Sequence, residues 1–476
     1  MSSVSVRIAL PKGRLLGETA DLLQGAGWGL SGYTATGRYY RLKSQRFPHL
    51  LAKVFHERDI PIQVAVGNYD LGICGRDWVE ELVVRYPNSG LIKVKALSYG
   101  GKNLFIVAAR FSGVTEEKLK SRSDVVRIAS EYPNLAESFA MSQRLRRFSV
   151  FPLWGAAEVY PPENADLSLI SAHNEAECYQ SGLVPVANVL PVSACLIANK
   201  ASWETKYLSA VVNSIDSVLV PFSVQKKRRG ASRPSSEKIT VVSEPAVAVA
   251  EDTVRLALPD GHQQLPTRQL LNQAGIDVPD YPSNSGNRRP ISSLAGVSIK
   301  VIRPQDMPLQ VANGNFDLAI TGKDWLYDHR YQFPSSPVRE LLDLRMGKVR
   351  LVAVVSRELA AVDADSLRRI CSERSQPLRV ASEYVNIADR YARDNHLGMY
   401  RVIPTWGATE AFVPEDADLL IENTETGRTI ARHGLKIIDT LFESTACLID
   451  NPNISGSSGK MERMQSIIKM LSKGVE

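Results

Sequence analysis

The stretch DLGICGRDW (Asp70–Trp78) decides how the chain is read. An aspartate opens a short run of apolar or small residues. The run ends at Gly75 and a charged pair, as a buried strand does when it turns into a helix. The same frame returns as DLAITGKDW (Asp317–Trp325), and it is not alone. IALPKG at Ile8 returns as LALPDG at Leu256, IASEYPN at Ile128 as VASEYVN at Val380, and WGAAEVYPPENADL at Trp154 as WGATEAFVPEDADL at Trp406. ACLI at Ala194 returns at Ala446. Blocks matched in order at a nearly constant offset mean two whole copies, because a solenoid repeats over only about 20–50 residues. The copies span residues 1–220 and 253–476. Residues 221–252, rich in Pro, Ser, Lys and Arg, read as a flexible linker.

Within each copy strands alternate with helices. In the first, VRIAL is a buried strand and RLLGETADLLQGAG an amphipathic helix stopped by glycine. LAKVFH, DLGICG, VVRIAS, FSVFPL and DLSLIS are further strands, with helices at DIPIQVAVGN and PNLAESFAMSQRL. This rhythm predicts an α/β fold with mostly parallel sheets, two lobes per copy, and a ligand cleft at the carboxyl ends of the strands.

Composition narrows the function classes. With 476 residues, 44% hydrophobic, the chain has ample core. A net charge of +6, part of it in the run QKKRRGASRPSSEK (Gln225–Lys238), argues against a dedicated nucleic-acid binder and leaves room for a small anionic substrate. Five scattered cysteines without a CxxC pair point to a reducing compartment with neither disulfides nor zinc. No apolar run reaches the ~20 residues of a membrane span and no signal peptide is evident, so the expected location is cytoplasmic, without a membrane partner.

The stretch ADLLIENTETGRTIARHGL (Ala417–Leu435) carries the most chemistry. A strand delivers Glu422, suited to the two hydroxyls of a ribose. Gly427 permits a tight turn, and backbone N–H groups and the hydroxyls of Thr424, Thr426 and Thr429 suit a phosphate. The alternative is an ordinary helix start capped by Thr426 or Thr429. In ALPKGRL, Lys12 and Arg14 at a strand tip suit a polyphosphate, although solvated turns look the same. Asp77 and Asp324 read as N-caps. Trp154 and Trp406 read as lobe core or as a base-stacking surface, and Cys195 and Cys447 as packing residues. The histidines show no ligand spacing and no nucleophile–base pair stands out, so no acid–base catalyst is assigned.

Taken together, IALPKGRLLGETADLLQGAG, RDIPIQVAVGNYDLGICGRDW, ASEYPNLAESF, WGATEAFVPEDADLLIENTETGRTIARHGL and STACLI strongly resemble the ATP phosphoribosyltransferases of histidine biosynthesis. The resemblance covers both copies. It implies that each copy is a short-form catalytic core, two α/β lobes like those of type-II periplasmic binding proteins. The implied reaction joins the phosphoribosyl group of phosphoribosyl pyrophosphate (PRPP) to N1 of ATP, with release of pyrophosphate, as the first step of histidine synthesis. It implies Mg²⁺ bound with PRPP near Glu422, with no metal ligand from the chain assigned. The implied PRPP loop is Glu422, Asn423, Thr424, Glu425, Thr426, Gly427, Arg428 and Thr429. The implied ATP or pyrophosphate contacts are Lys12, Gly13, Arg14 and Arg303. The copies form an internal pseudo-dimer, a homo-oligomer is expected, and a separate regulatory subunit is compatible with the family.

The copies depart from this pattern in opposite places. The first has Ile170, Ala172, Asn174, Glu175 and Glu177 where the second has Glu422, Thr424, Thr426, Gly427 and Thr429. The second has Asp260 and His262 where the first has Lys12 and Arg14, while its Arg303 meets His56 in the first. Such complementary losses imply one composite site per chain. The rival reading is decay of one copy into a scaffold or regulatory lobe. Two other functions fit less of the sequence: a regulatory paralog without activity, and a phosphoribosyltransferase with a different acceptor.

Overall fold

Each of four sheets is locked by the same short pattern, an aspartate placed just before a central strand. Asp70 accepts the backbone N–H of Arg7 at 2.8 Å, and Asp166 that of Arg127 at 2.8 Å. Asp317 accepts from Arg255 at 2.8 Å, and Asp418 from Arg379 at 2.9 Å. In each case the donor lies on the neighbouring parallel strand, so one carboxylate fixes the register between two strands. Asp317 is fully buried and also binds the Arg255 guanidinium at 2.8 Å and Lys460 at 2.9 Å.

The computed structural model describes residues 5–34, 37, 39–219, 252–283, 286–454 and 456–475, so nearly all of the expected linker lies outside the described residues. The chain divides into two compact units, Met1–Pro152 with Ala165–Val247, and Leu153–Asn164 with Ala248–Glu476. Each unit has two α/β lobes, as expected. In the first unit one sheet runs, edge to edge, Arg41–Lys43, Leu50–His56, Val6–Lys12, Leu71–Gly75, Ala194–Asn199, Leu91–Ala96. The other runs Leu183–Val192, Lys102–Ala109, Leu167–Ala172, Val126–Ser130, Phe148–Pro152. The second unit repeats both orders without the short edge strand. Among the described residues no helix is long and apolar enough to cross a membrane.

The expectation of mostly parallel sheets needs correction, for the sheets are mixed. The chain leaves the first sheet after Ala96 and comes back after Val192, so its return strand must enter from the opposite end. Ala194–Asn199 therefore lies antiparallel to both of its neighbours, with Ala194 opposite Gly75. Ala446–Asp450 does the same in the second unit, with Ala446 opposite Gly322. The core follows the strands: Ile8, Leu10, Leu71, Ile73 and Leu196 are buried in the first unit, and Leu256, Leu258, Leu318, Ile320 and Leu448 in the second.

The units do not coincide with the duplicated copies. Leu153–Asn164 comes from the first copy yet belongs to the second unit. There the Trp154 N–H donates to both carboxylate oxygens of Asp306, each at 3.1 Å. Glu163 pairs with Arg289 at 2.8 Å and with nearly buried Lys300 at 2.9 Å. Arg289 also donates to the carbonyls of Val159 and Pro161. Burial, then Arg289, pushes Lys300 down to about 7. Glu163 is nevertheless held at about 2, against its burial, by the hydrogen bond from Arg289 and the charge of Lys300. Glu163→Ala should leave Lys300 and Arg289 without their shared partner. We expect a stability loss on the order of 3 kcal/mol, the cost of orphaning a buried charge. Glu175→Ala, at an exposed position, should shift stability by less than about 0.5 kcal/mol. Equal chemical-denaturation midpoints for the two variants would contradict this account of the segment.

Candidate active site

Strand Leu419–Thr424 ends in the stretch singled out from sequence. Its inner residues Leu419, Leu420 and Ile421 are fully buried, while Glu422, Asn423 and Thr424 rise to the half-exposed end. Gly427 has φ +72°, a left-handed conformation that favours glycine, and it caps the helix Arg428–Arg432. The threonine caps expected from sequence are not used. The Thr424 hydroxyl instead accepts the Gly427 N–H at 2.9 Å and closes the turn. With only five residues the helix adds little dipole, so an anion here would depend on the loop N–H groups themselves. Glu425, Thr426, Arg428 and Thr429 are exposed around that turn.

Glu422 sits among carboxylates. Its side chain takes hydrogen bonds from the Asn423 N–H at 3.0 Å and from Thr409. Burial first, then the charges of Glu383 and Glu410, push its carboxyl well above the ordinary glutamate range. A group that brings in hydroxyl donors or positive charge would relieve that repulsion. Next along the strand, the Asn423 amide donates to the Tyr384 hydroxyl at 2.7 Å, and Tyr384 donates to Asp324 at 2.8 Å. Asp324 is thus no N-cap. Gly322 holds that place, and a side chain there would meet Asp324 Oδ1 at 2.0 Å. Asp77 behaves alike, accepting from Tyr132 at 2.9 Å.

At the tips of the other sheet the copies carry opposite charge patterns. In the first unit Lys12 donates to the Tyr40 hydroxyl at 3.2 Å and lies over its ring. Gly13, with φ +88°, lets the chain turn away from the strand. Arg14 pairs with Glu57 at 2.9 Å and with Asp77 at 3.3 Å. His56 faces Lys12 in register, and burial, then Arg58 and Lys12, lower it to about 4. Lys12 and Arg58 thus help to keep the imidazole neutral at ordinary pH, while Arg58 itself faces the carboxylates of Glu81, Glu131 and Asp59. In the second unit Asp260 stands at the strand tip and takes Arg288 at 3.0 Å and Arg303 at 3.2 Å. Arg303 is thus engaged by a carboxylate of its own unit.

Trp154 and Trp406 both lie in the second unit, 6.3 Å apart between ring centres, and Trp154 is 5.6 Å from Trp325. Trp154 packs against the core of the lobe that carries the loop. Cys195 and Cys447 lie in buried strands, as expected. Sequence reading missed Glu383, Tyr384, Glu410 and Arg288. The first two lie in a block that both copies share, VASEYVN, and Glu410 in another, WGATEAF, so the repetition itself was the signal.

The two α/β lobes, with one strand ending in a carboxylate and a glycine-turned threonine loop, place polar groups where open α/β sheets bind their ligands. The family model for ATP phosphoribosyltransferase matches residues 56–219 and 303–473, and the chain belongs to that family. The ATP phosphoribosyltransferase of Thermodesulfovibrio yellowstonii is 31% identical over 221 residues, 46% of this chain and 72% of the relative. That of Desulfatibacillum aliphaticivorans is 32% identical over 221 residues, with the same shares of 46% and 72%. Among solved structures, the ATP phosphoribosyl transferase (HisG:HisZ) complex from Thermotoga maritima aligns with 45% of this chain and 98% of its own, at 18% identity and a TM-score of 0.38.

The raised carboxyl of Glu422 has a consequence for stability. The folded chain keeps this proton at pH values where the unfolded chain, near the ordinary ~4.3, has lost it. Its ionisation therefore weakens the fold as pH rises above that value. Glu422→Gln should melt at a higher temperature than the parent at pH 8, with the difference shrinking toward pH 4. A lower melting temperature for the variant at pH 8 would show that the carboxylate is stabilised instead.

Proposed function

We propose that the chain transfers the phosphoribosyl group of PRPP to N1 of ATP with release of pyrophosphate, the first step of histidine synthesis, and does so in the cytoplasm. The loop Glu422–Thr429 carries the reading. It supplies a ribose-binding carboxylate and a turn lined with N–H and hydroxyl donors, in a chain of this family. In this reading Glu422 accepts the ribose hydroxyls. Thr424, Thr426, Thr429 and the N–H groups around Gly427 hold the 5′-phosphate. Lys12, Gly13 and Arg14 serve the polyphosphate or pyrophosphate.

The reaction asks little of acids and bases. The leaving group is already a good one, and the acceptor nitrogen has a lone pair. The chain's contribution is to hold two anionic substrates in line and to oppose the charge that builds on the departing pyrophosphate. Among the described residues no group of three or more His, Cys, Asp or Glu is placed to hold a metal ion. In this reading Mg²⁺ comes with PRPP rather than on ligands from the chain, and the negative charge of Glu383 and Glu410 beside Glu422 favours a cation nearby. Arriving on the diphosphate of PRPP, it supplies charge neutralisation to the leaving group. A separate regulatory subunit is consistent with this reading.

Glu422→Ala removes up to two hydrogen bonds to the ribose hydroxyls, charge-assisted once binding ionises the carboxyl and then worth about 1.5–3 kcal/mol each. PRPP affinity should therefore fall by well over tenfold in equilibrium binding, and near-parental affinity would make the loop assignment wrong. Lys12→Ala should lower the rate of pyrophosphate release from PRPP and ATP by about a hundredfold, the usual scale for losing a cation on a developing oxyanion. A fully active Lys12→Ala enzyme would remove the first copy from the chemistry.

A further inference from the structure

The cleft of the second unit, which Asn423 of the loop also lines, has an inner end at Asp260. Asp260, Gln263, Arg303, Gln305, Asp324 and Tyr384 line it. Two observations decide what kind of group it accepts.

The first is its charge. Arg288 pairs with Asp260 and, at 2.8 Å, with Glu158. Arg303 pairs with Asp260. Two guanidiniums thus face two carboxylates, and the Asp260 side chain is only 8% exposed. A phosphate entering here would have to displace a carboxylate already seated on both arginines and would meet its repulsion at close range. In the first copy the positions of Asp260 and Arg288 hold Lys12 and Tyr40, which also touch each other. Both members of the pair have therefore changed together, and the substitution is not a stray loss of one lysine.

The second is an excess of hydrogen-bond acceptors. Gln263 is 7% exposed and its Oε1 has no hydrogen-bond partner. Gln305 Oε1 is likewise buried and unpartnered. Leaving a buried carbonyl oxygen unpaired is costly, and a ligand N–H would remove the cost. The first copy has Leu15 and Arg58 at these positions, neither of which offers a side-chain acceptor.

We infer that the inner end of this cleft binds the amino edge of a purine nucleoside through N–H donation to Gln263 and Gln305, and that Asp260 keeps phosphate out of it. This deepens the transferase reading by naming the part of the acceptor nucleotide that this copy recognises. An exocyclic amino group offers two N–H donors to these oxygens. A carbonyl in its place would set acceptor against acceptor, which is how a site built for a donor rejects its isostere.

The experiment is equilibrium binding to the full chain, with adenosine, inosine and inorganic pyrophosphate as probes and PRPP affinity measured alongside. Adenosine should bind at least tenfold more tightly than inosine. Gln263→Leu, which installs the first copy's residue, should bring the two within about twofold of each other while PRPP affinity stays within twofold of the parent. Asp260→Asn should raise pyrophosphate affinity about tenfold. No adenosine binding, equal binding of adenosine and inosine, retained discrimination in Gln263→Leu, or unchanged pyrophosphate affinity in Asp260→Asn would each overturn the inference. Failure of the parent chain to bind PRPP would count against the transferase reading alone, because the adenosine-to-inosine ratio is read without PRPP.

Discussion

One carboxylate per sheet sets the geometry on which the site depends. Asp70, Asp166, Asp317 and Asp418 each accept a backbone N–H from a neighbouring parallel strand at its start. Parallel strands have no hairpin to fix their alignment, and a slip of one residue would turn every side chain to the opposite face. With the starts locked, the ends are locked too. That is why Lys12 meets His56 across the first sheet, and why Glu422 emerges one residue past the buried Ile421. The functional side chains are thus positioned from the far end of their own strands.

The two copies show how such a frame permits chemistry to change without loss of fold. Strand orders and registers are shared, down to the return strands that place Ala194 opposite Gly75 and Ala446 opposite Gly322. The tips differ in coupled sets. Lys12 on Tyr40 becomes Asp260 on Arg288, and the Arg14–Glu57 pair gives way to His262 and Pro304. Each tip remains internally consistent because a buried charge left alone costs several kcal/mol, whereas a pair exchanged as a unit costs much less. The polar contact chain Asn423–Tyr384–Asp324 and its counterpart Tyr132–Asp77 mark the part of the frame that both copies keep.

Much of the structure was legible in the sequence because it depends on local pattern. The strand and helix periods, the glycine turns and the loop at Glu422 were visible, since each is decided within a few neighbouring residues, and the duplication was visible because it repeats those local patterns in order. The mixed strand directions were not, because direction depends on where the chain re-enters a sheet about a hundred residues later. Nor were the roles of Asp77 and Asp324, which look like helix caps in sequence and are claimed in the fold by Tyr132 and Tyr384. The neutral charge set around Asp260 needs Arg288 and Arg303 from distant segments, and Glu158 from the other copy. Sequence by itself determined the copies, their elements and the candidate loop at Glu422. Tertiary structure alone decided which charges face one another, because ion pairing depends on separations of a few ångströms between residues far apart along the chain.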